Sequence, residues 1–175
     1  MKENFKRELE DIFNGLNKKE LRLSLLGVGS ELRADDSAGL VIAENLIKQC
    51  EKENKCGIND KLQVIYGETA PENFTGDIRK FLPTHLIVID AAEMGLEPGS
   101  VKIIKKEEIK GVTFSTHVLP LSVMIDYLYN SFKFETIVIG IEPKDMEFGN
   151  DVTKEVRTAI DMVSDVIFDF AKGIV

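Results

Sequence analysis

The sequence predicts a three-layer α/β/α sandwich around a mostly parallel, twisted sheet of about five strands. Two short apolar runs, LIVID at 86–90 and TIVIGI at 136–141, are typical of strands that helices cover on both faces. Segments with helical apolar spacing alternate with the strands, as they do in parallel α/β folds. The length of 175 residues suits one domain with a sizeable core, which we place at 1–175.

In the first half of the chain, three helices alternate with two strands. Residues 3–15 have apolar positions at helical spacing, and LRLSLLGVG at 21–29 is a buried strand that enters a glycine-rich turn. Residues 37–49 form a helix, 62–67 a second strand, and 72–81 a short helix that Pro83 ends. The apolar positions of the first helix are Phe5, Leu9, Ile12 and Leu16.

In the second half, 86–90 is the central strand and 100–105 is a weaker strand that suits an antiparallel edge position. Residues 118–130 form a helix, since Pro120 is tolerated in a first helical turn, and 136–141 form another buried strand. The last helix has the clearest apolar stripe. Its members are Val152, Val156, Ile160, Val163, Ile167, Phe170 and Ile174.

Composition excludes several classes of protein. With 22 basic and 30 acidic residues the net charge is −8, which opposes binding to nucleic acid. No stretch approaches the roughly 20 apolar residues of a membrane span, and the N-terminus lacks a signal-peptide core. Cys50 and Cys56 are too far apart for a Cys-x-x-Cys motif, so we expect unbonded thiols in a reducing cytoplasm. We also expect a monomer.

The first loop, GVGSELRADDSAG, follows a strand and precedes a helix, which suggests a dinucleotide site with Glu68 as the ribose acceptor. The third glycine of that motif is replaced by Leu32, and Asp35 and Asp36 lie where the pyrophosphate would bind. Their negative charges oppose an anion at a helix N-terminus. We therefore expect no nucleotide cofactor. Asp35 is assigned to loop structure and helix capping.

Three other polar residues are expected at one edge of the sheet, where α/β proteins bind ligands. Asp36 follows the first strand, Asp90 ends the third, and His117 opens the helix after the edge strand. Each alone is more typical of a structural residue, but two carboxylates and one imidazole suit a divalent metal ion with open coordination positions. His85 begins a strand at the opposite end of the sheet, so we interpret it as structural.

Four segments, in order, resemble the nickel–iron hydrogenase maturation endopeptidases. They are GVGSELRADDSAG, LIVIDAAEMGLEPG, STHVLPL and IVIGIEP, and they extend over most of the chain. The resemblance is strongest to the branch that serves hydrogenase 3 and formate hydrogenlyase. It implies an endopeptidase that removes a C-terminal extension from a hydrogenase large-subunit precursor after nickel insertion. It also implies that Asp36, Asp90 and His117 are the metal-contacting, catalytic residues.

Two mechanisms are compatible with those residues. The side chains bind nickel that the precursor already holds, which positions the scissile peptide beside a water or a carboxylate, or the ion polarises the scissile carbonyl. No Gly-x-Ser-x-Gly elbow offers another nucleophile. The alternative function is a nickel-checkpoint chaperone that binds the precursor without cutting it.

Overall fold

The structure is a computed structural model and describes residues 1–53, 61–105, 108–109, 112–114 and 121–174. Its five helices flank a six-stranded sheet, and the described helices and strands alternate through the first half of the chain. The helices are α1 (Lys2–Ile12), α2 (Ala38–Glu53), α3 (Thr75–Phe81), α4 (Leu121–Phe132) and α5 (Lys154–Lys172). The strands are β1 (Leu23–Gly27), β2 (Leu62–Tyr66), β3 (His85–Glu93), β4 (Val101–Ile104), β5 (Thr113–Phe114) and β6 (Glu135–Ile141).

The sheet has the order β2-β1-β3-β6-β4, with β5 paired to β3 outside that path. The β1, β2, β3 and β6 strands are parallel, and β4 pairs antiparallel with β6 at the edge. This confirms the predicted α/β fold and the edge position of the 100–105 strand. Parallel pairing also places the carboxyl ends of β1, β3 and β6 at one edge of the sheet.

Two apolar cores lie on opposite faces of the sheet. One buries residues of α1, α2 and α5 against the strands, and the other buries residues of α3 and α4. Successive side chains of β3 point into the two cores in turn. Ile87 and Ile89 face the first core, and Leu86 and Val88 face the second. The predicted stripe of the last helix is confirmed, with Val156, Ile160, Val163 and Ile167 fully buried at 0% exposure.

The first helix differs from its prediction. It ends at Ile12 and not near residue 15. Its buried side chains are Phe5 and Leu9, and Phe13, directly after the helix, is buried with them. Ile12 and Leu16 are instead 38% and 43% exposed. The Phe13 ring lies 4.8 Å from the His85 ring and 4.6 Å from the Phe170 ring, so aromatic packing selects this face.

The central strand is also longer than predicted. It continues past Asp90 to Glu93, because Ala92 and Glu93 pair with the short strand β5, which was not predicted. In α4 the described helix begins at Leu121, and residues 115–120 lie outside the described part of the chain. Among the described residues, no helix is long and apolar enough to cross a membrane.

Gly39, in the first turn of α2, lies very close to the main chain at the ends of β1 and β3, and a substitution can test this close packing. A Cβ atom at Gly39 would lie 2.2 Å from the Ile89 carbonyl oxygen and 2.4 Å from that of Val28. We expect Gly39→Ala to lower the free energy of unfolding by about 3 kcal/mol, because backbone atoms must move. Urea denaturation followed by circular dichroism measures this.

Gly76→Ala is the matched control for that substitution. Gly76 lies in α3 and a Cβ there would meet nothing within 4 Å, so we expect a gain of about 0.5 kcal/mol. Equal stability of the two alanine variants would show that the close approach at Gly39 is not a packing constraint.

Candidate functional site

The loop after β1 folds tightly onto the end of the sheet. The Val28 N–H donates to the Ile89 carbonyl at 2.9 Å, which continues the β1–β3 pairing beyond Gly27. Gly29 has a φ of +143°, and a Cβ at this position would lie 1.8 Å from the Asp36 carbonyl oxygen. Only glycine permits this approach. The Asp36 backbone is therefore held against the ends of β1 and β3.

Two of the three predicted site residues lie at this edge. Asp36 belongs to a 3₁₀ turn, Ala34–Ser37, and Asp90 lies in β3, one residue beyond Ile89. Both are fully buried at 0% exposure. Burial of a carboxylate costs free energy, so buried carboxylates are found where the charge is bonded to other groups or has a function. Asp90 lies within β3 and does not end it, which corrects the predicted strand boundary.

The third predicted residue, His117, lies outside the described residues. The described part of the chain holds no group of three His, Cys, Asp or Glu side chains placed for a metal ion. The three-ligand site therefore stays a prediction, of which the structure describes two members. Cys56 also lies outside the described residues, and Cys50 is buried in α2.

Asp35, the residue before Asp36, is bonded to two other segments of the chain. Its Oδ2 accepts hydrogen bonds from the backbone N–H groups of Lys144 at 2.8 Å and Asp145 at 2.9 Å. Thr153 donates its N–H to Oδ1 at 2.8 Å and its hydroxyl to Oδ2 at 3.0 Å. Asp35 thus joins its own turn to the loop after β6 and to the start of α5. The predicted role in loop structure is confirmed by these four bonds.

Sequence inspection missed a further buried carboxylate, Glu142, which is 8% exposed. Its Oε2 accepts from the Met94 N–H at 2.7 Å and from the Leu96 N–H at 3.1 Å. Its main chain bonds Gly99 and Ser100 at 2.8 and 2.9 Å. A carboxylate directly after the apolar strand TIVIGI was the available signal, because such a residue lies at the carboxyl edge of the sheet.

The turn that carries the two aspartates contains backbone strain. Ala34, just before Asp35, has a φ of +21°, a conformation that costs a residue with a side chain free energy. The Asp35 N–H donates to the Asp145 carbonyl at 3.0 Å and the Arg33 Nε donates to the Met146 carbonyl at 3.0 Å. Bonds on both sides of Ala34 therefore hold the strained residue in place.

At the neighbouring end of β2, the Tyr66 hydroxyl donates to the Glu31 carboxylate. Burial raises the pKa of Tyr66, and the bond to Glu31 raises it further. Glu31 therefore has a partner at the end of β2. Glu68, the residue considered for a ribose contact, is exposed and has a φ of +51°.

His85 is at the other end of the central strand from Asp90, as predicted. It begins β3, is 8% exposed, and its Nδ1 lies 3.0 Å from the Thr84 hydroxyl. Its ring packs on Phe13. Burial lowers the pKa of His85, an effect that the negative charge of Glu135 partly opposes. These contacts are those of a structural histidine.

Comparison with known proteins gives one consistent result. A family model described as hydrogenase maturation protease matches residues 41–169. The hydrogenase 3 maturation protease of Escherichia coli is 36% identical over 142 residues, which are 79% of this chain and 84% of that protein.

Solved structures of hydrogenase maturation proteases also superpose on this chain. The structure of a [NiFe] hydrogenase maturation protease, HycI, from Thermococcus kodakarensis superposes with a TM-score of 0.80 at 25% identity, covering 94% of this chain and 99% of the other. The solution structure of the endopeptidase HycI from E. coli gives 0.72 at 34% identity, covering 86% and 91%.

The role of Asp35 predicts a large loss of stability on truncation. Asp35→Ala leaves the N–H groups of Lys144, Asp145 and Thr153 without their carboxylate acceptor. We expect the free energy of unfolding to fall by about 3 kcal/mol or more in a urea titration. Asp161→Ala, at an exposed position of α5, is the control and is expected to change stability by less than about 0.5 kcal/mol. Similar losses for both variants would contradict the anchoring role.

The environment of His85 predicts a pH dependence. Its folded pKa lies below the ordinary value of 6.5, so the unfolded chain binds a proton at a higher pH than the folded protein does. This contribution to stability is present above 6.5 and is lost as the pH falls toward the folded pKa. We expect wild type to lose stability relative to His85→Gln between about pH 7 and about pH 5. Parallel pH profiles of unfolding free energy would contradict this.

Proposed function

This chain belongs to the hydrogenase maturation protease family, and we propose that it removes the C-terminal extension of a nickel–iron hydrogenase large-subunit precursor. Family membership and the assignment as an endopeptidase confirm what the four sequence motifs implied. The precursor, the nickel requirement, and action as a cytoplasmic monomer without a nucleotide cofactor belong to the proposal.

One observation carries the proposal from the family to a site. Two fully buried carboxylates, Asp36 in the turn after β1 and Asp90 in the last part of β3, lie in the region where parallel α/β folds bind ligands. Asp90 and His117 fall within the region that the family model matches. Structural carboxylates of this edge, Asp35 and Glu142, have backbone N–H groups as partners, so the edge contains both anchors and candidate ligands.

The proposed substrate carries its own nickel ion, which acts as a recognition element. Two carboxylates and one imidazole suit a divalent ion of this type, since both charges of the ion are neutralised and coordination positions stay open. Asp36, Asp90 and His117 would bind the ion and hold the precursor tail at the edge of the sheet. Binding there fixes the scissile peptide in position, which can lower a barrier by several kcal/mol.

Cleavage then requires a water or a carboxylate near the scissile carbonyl, or polarisation of that carbonyl by the ion. A carboxylate that is not coordinated can accept the proton of an attacking water, provided that it lies within hydrogen-bond distance. Both routes use the same three side chains, so substitution of any one is expected to be severe.

The decisive experiment mixes the purified protein with the precursor of the hydrogenase large subunit from the same organism, with and without nickel loaded. Mass spectrometry follows the loss of the C-terminal peptide. We expect cleavage of the nickel-loaded precursor only. A precursor that binds but stays full length would replace the protease by the non-cleaving checkpoint chaperone, and equal cleavage of the nickel-free precursor would remove nickel from the recognition step.

In that assay, Asp36→Asn, Asp90→Asn and His117→Ala should each reduce processing at least about 100-fold. Asp161→Asn removes an exposed carboxylate of α5 and should process at the wild-type rate. Melting curves check that each variant folds. Normal processing by any one of the three site variants would remove that residue from the mechanism.

A further inference from the structure

We propose that the Glu72 carboxylate binds the precursor by accepting a hydrogen bond from a main-chain N–H group of an extended precursor segment. The inference rests on the proposed function and adds a contact that involves neither the nickel ion nor the three site residues. Glu72 lies in a 3₁₀ turn, Pro71–Phe74, between β2 and α3. Its Oε2 is shielded from solvent, yet none of the described residues donates a hydrogen bond to this oxygen.

A carboxylate oxygen that is shielded from water and has no donor raises the free energy of the folded protein. Asp35 and Glu142, at the same edge of the sheet, avoid this cost because each accepts main-chain N–H groups. The Oε2 of Glu72 has no such donor among the described residues. A cost of this kind persists at functional sites, where a ligand supplies the missing donor. By comparison with Asp35 and Glu142, that donor is a main-chain N–H group.

The loop that carries Glu72 is joined to the loop that carries Asp36. The Gly29 N–H donates to the Glu68 carbonyl at 3.0 Å, which connects the loop after β2 with the loop after β1. A Cβ at Gly29 would lie 1.8 Å from the Asp36 carbonyl oxygen, so Gly29 also lies against the Asp36 backbone. Both carboxylates therefore belong to connected loops at the carboxyl edge of the sheet.

The turn that carries Glu72 lies on the face of the sheet to which Asp90 points. Phe74, in the same turn, packs against the second core, which contains Val88 and Ala92 of β3. Side chains alternate along a strand, so Asp90, midway between those two residues, points to this face as well. Only β1 separates β2 from β3. Two strand spacings are about 10 Å, a distance that about three residues of an extended chain can cross.

The main chain of Glu72 is held by hydrogen bonds on both sides. The Thr75 hydroxyl donates to the Glu72 carbonyl at 2.9 Å, and the Asn73 N–H donates to the Ala70 carbonyl at 3.1 Å. The side chain as a whole is half-buried, and the terminal torsion of a glutamate is broad. The carboxylate can therefore turn toward an arriving N–H group, while the fixed main chain lowers the entropic cost of binding.

The first test measures the stability of the free protein. Glu72→Leu replaces the carboxylate by an apolar side chain of similar size, so we expect the urea midpoint of unfolding to stay the same or rise. Glu142→Leu is the matched control, because the Glu142 carboxylate accepts two hydrogen bonds, and its midpoint should fall. If the midpoint of Glu72→Leu falls as far as that of Glu142→Leu, Glu72 is a structural residue and the proposal is wrong.

The second test measures kcat and KM for the nickel-loaded precursor. Glu72→Leu should raise KM about 10-fold or more and leave kcat within about 2-fold of wild type, because the lost hydrogen bond to a charged group weakens binding. Glu68→Leu removes an exposed carboxylate of the same loop and should keep the wild-type KM. An unchanged KM for Glu72→Leu would overturn the proposal.

Glu72→Gln identifies the donor. An amide oxygen still accepts a hydrogen bond from a main-chain N–H group, so KM should stay within about 3-fold of wild type. If Glu72→Gln raises KM as much as Glu72→Leu, the donor is a cationic side chain and the main-chain assignment is wrong. If wild type binds the precursor without cleaving it, the proposed function fails, and dissociation constants from surface plasmon resonance decide the role of Glu72 by the same ratios. If wild type neither binds nor cleaves, both fail.

Discussion

The carboxylate of Asp35 is the contact on which the carboxyl edge of the sheet depends. It accepts hydrogen bonds from residues 144, 145 and 153 and so ties the loop after β1 to the loop after β6 and to α5. A buried carboxylate stabilises a fold only when donors replace its lost hydration, and three backbone N–H groups and a hydroxyl do so here. Because Asp36 is the next residue, this contact also fixes the backbone of a candidate ligand.

Glu142 acts in the same way on the other side of β3. Its carboxylate bonds Met94 and Leu96, so the loop after β3 has a fixed position relative to β6. Asp35 and Glu142 thus fix the positions of the loops that follow β1, β3 and β6. The strained Ala34 lies between Arg33 and Asp35, which are both hydrogen-bonded to the loop after β6. The edge is built before any substrate arrives, which lowers the cost of ordering it on binding.

Local patterns were sufficient to predict five of the six described strands and the edge at which Asp36 and Asp90 lie. An apolar run identifies a doubly covered strand, and parallel pairing then brings the residues that follow such strands together. The anchors could not be predicted, because Thr153, whose N–H donates to the Asp35 carboxylate, is 118 positions away from Asp35. Periodicity also could not choose between Ile12 and Phe13, since that choice depends on His85 and Phe170 in other elements. The pairing that extends β3 to Glu93 is equally non-local.

Asp35 and Asp36 show why residue type alone does not assign a role. The two side chains are chemically identical, adjacent and equally buried, but Asp35 accepts hydrogen bonds from the backbone of two other segments, whereas Asp36 is proposed to bind the metal ion. The loop after β6 is held by the carboxylate of the residue next to Asp36. The proposed recognition of nickel therefore depends on the hydrogen bonds between this loop and the turn that contains Asp36. A change in the loop after β6 is expected to move that turn, so the effects of substitutions in the loop and in the turn are expected to be coupled and not additive.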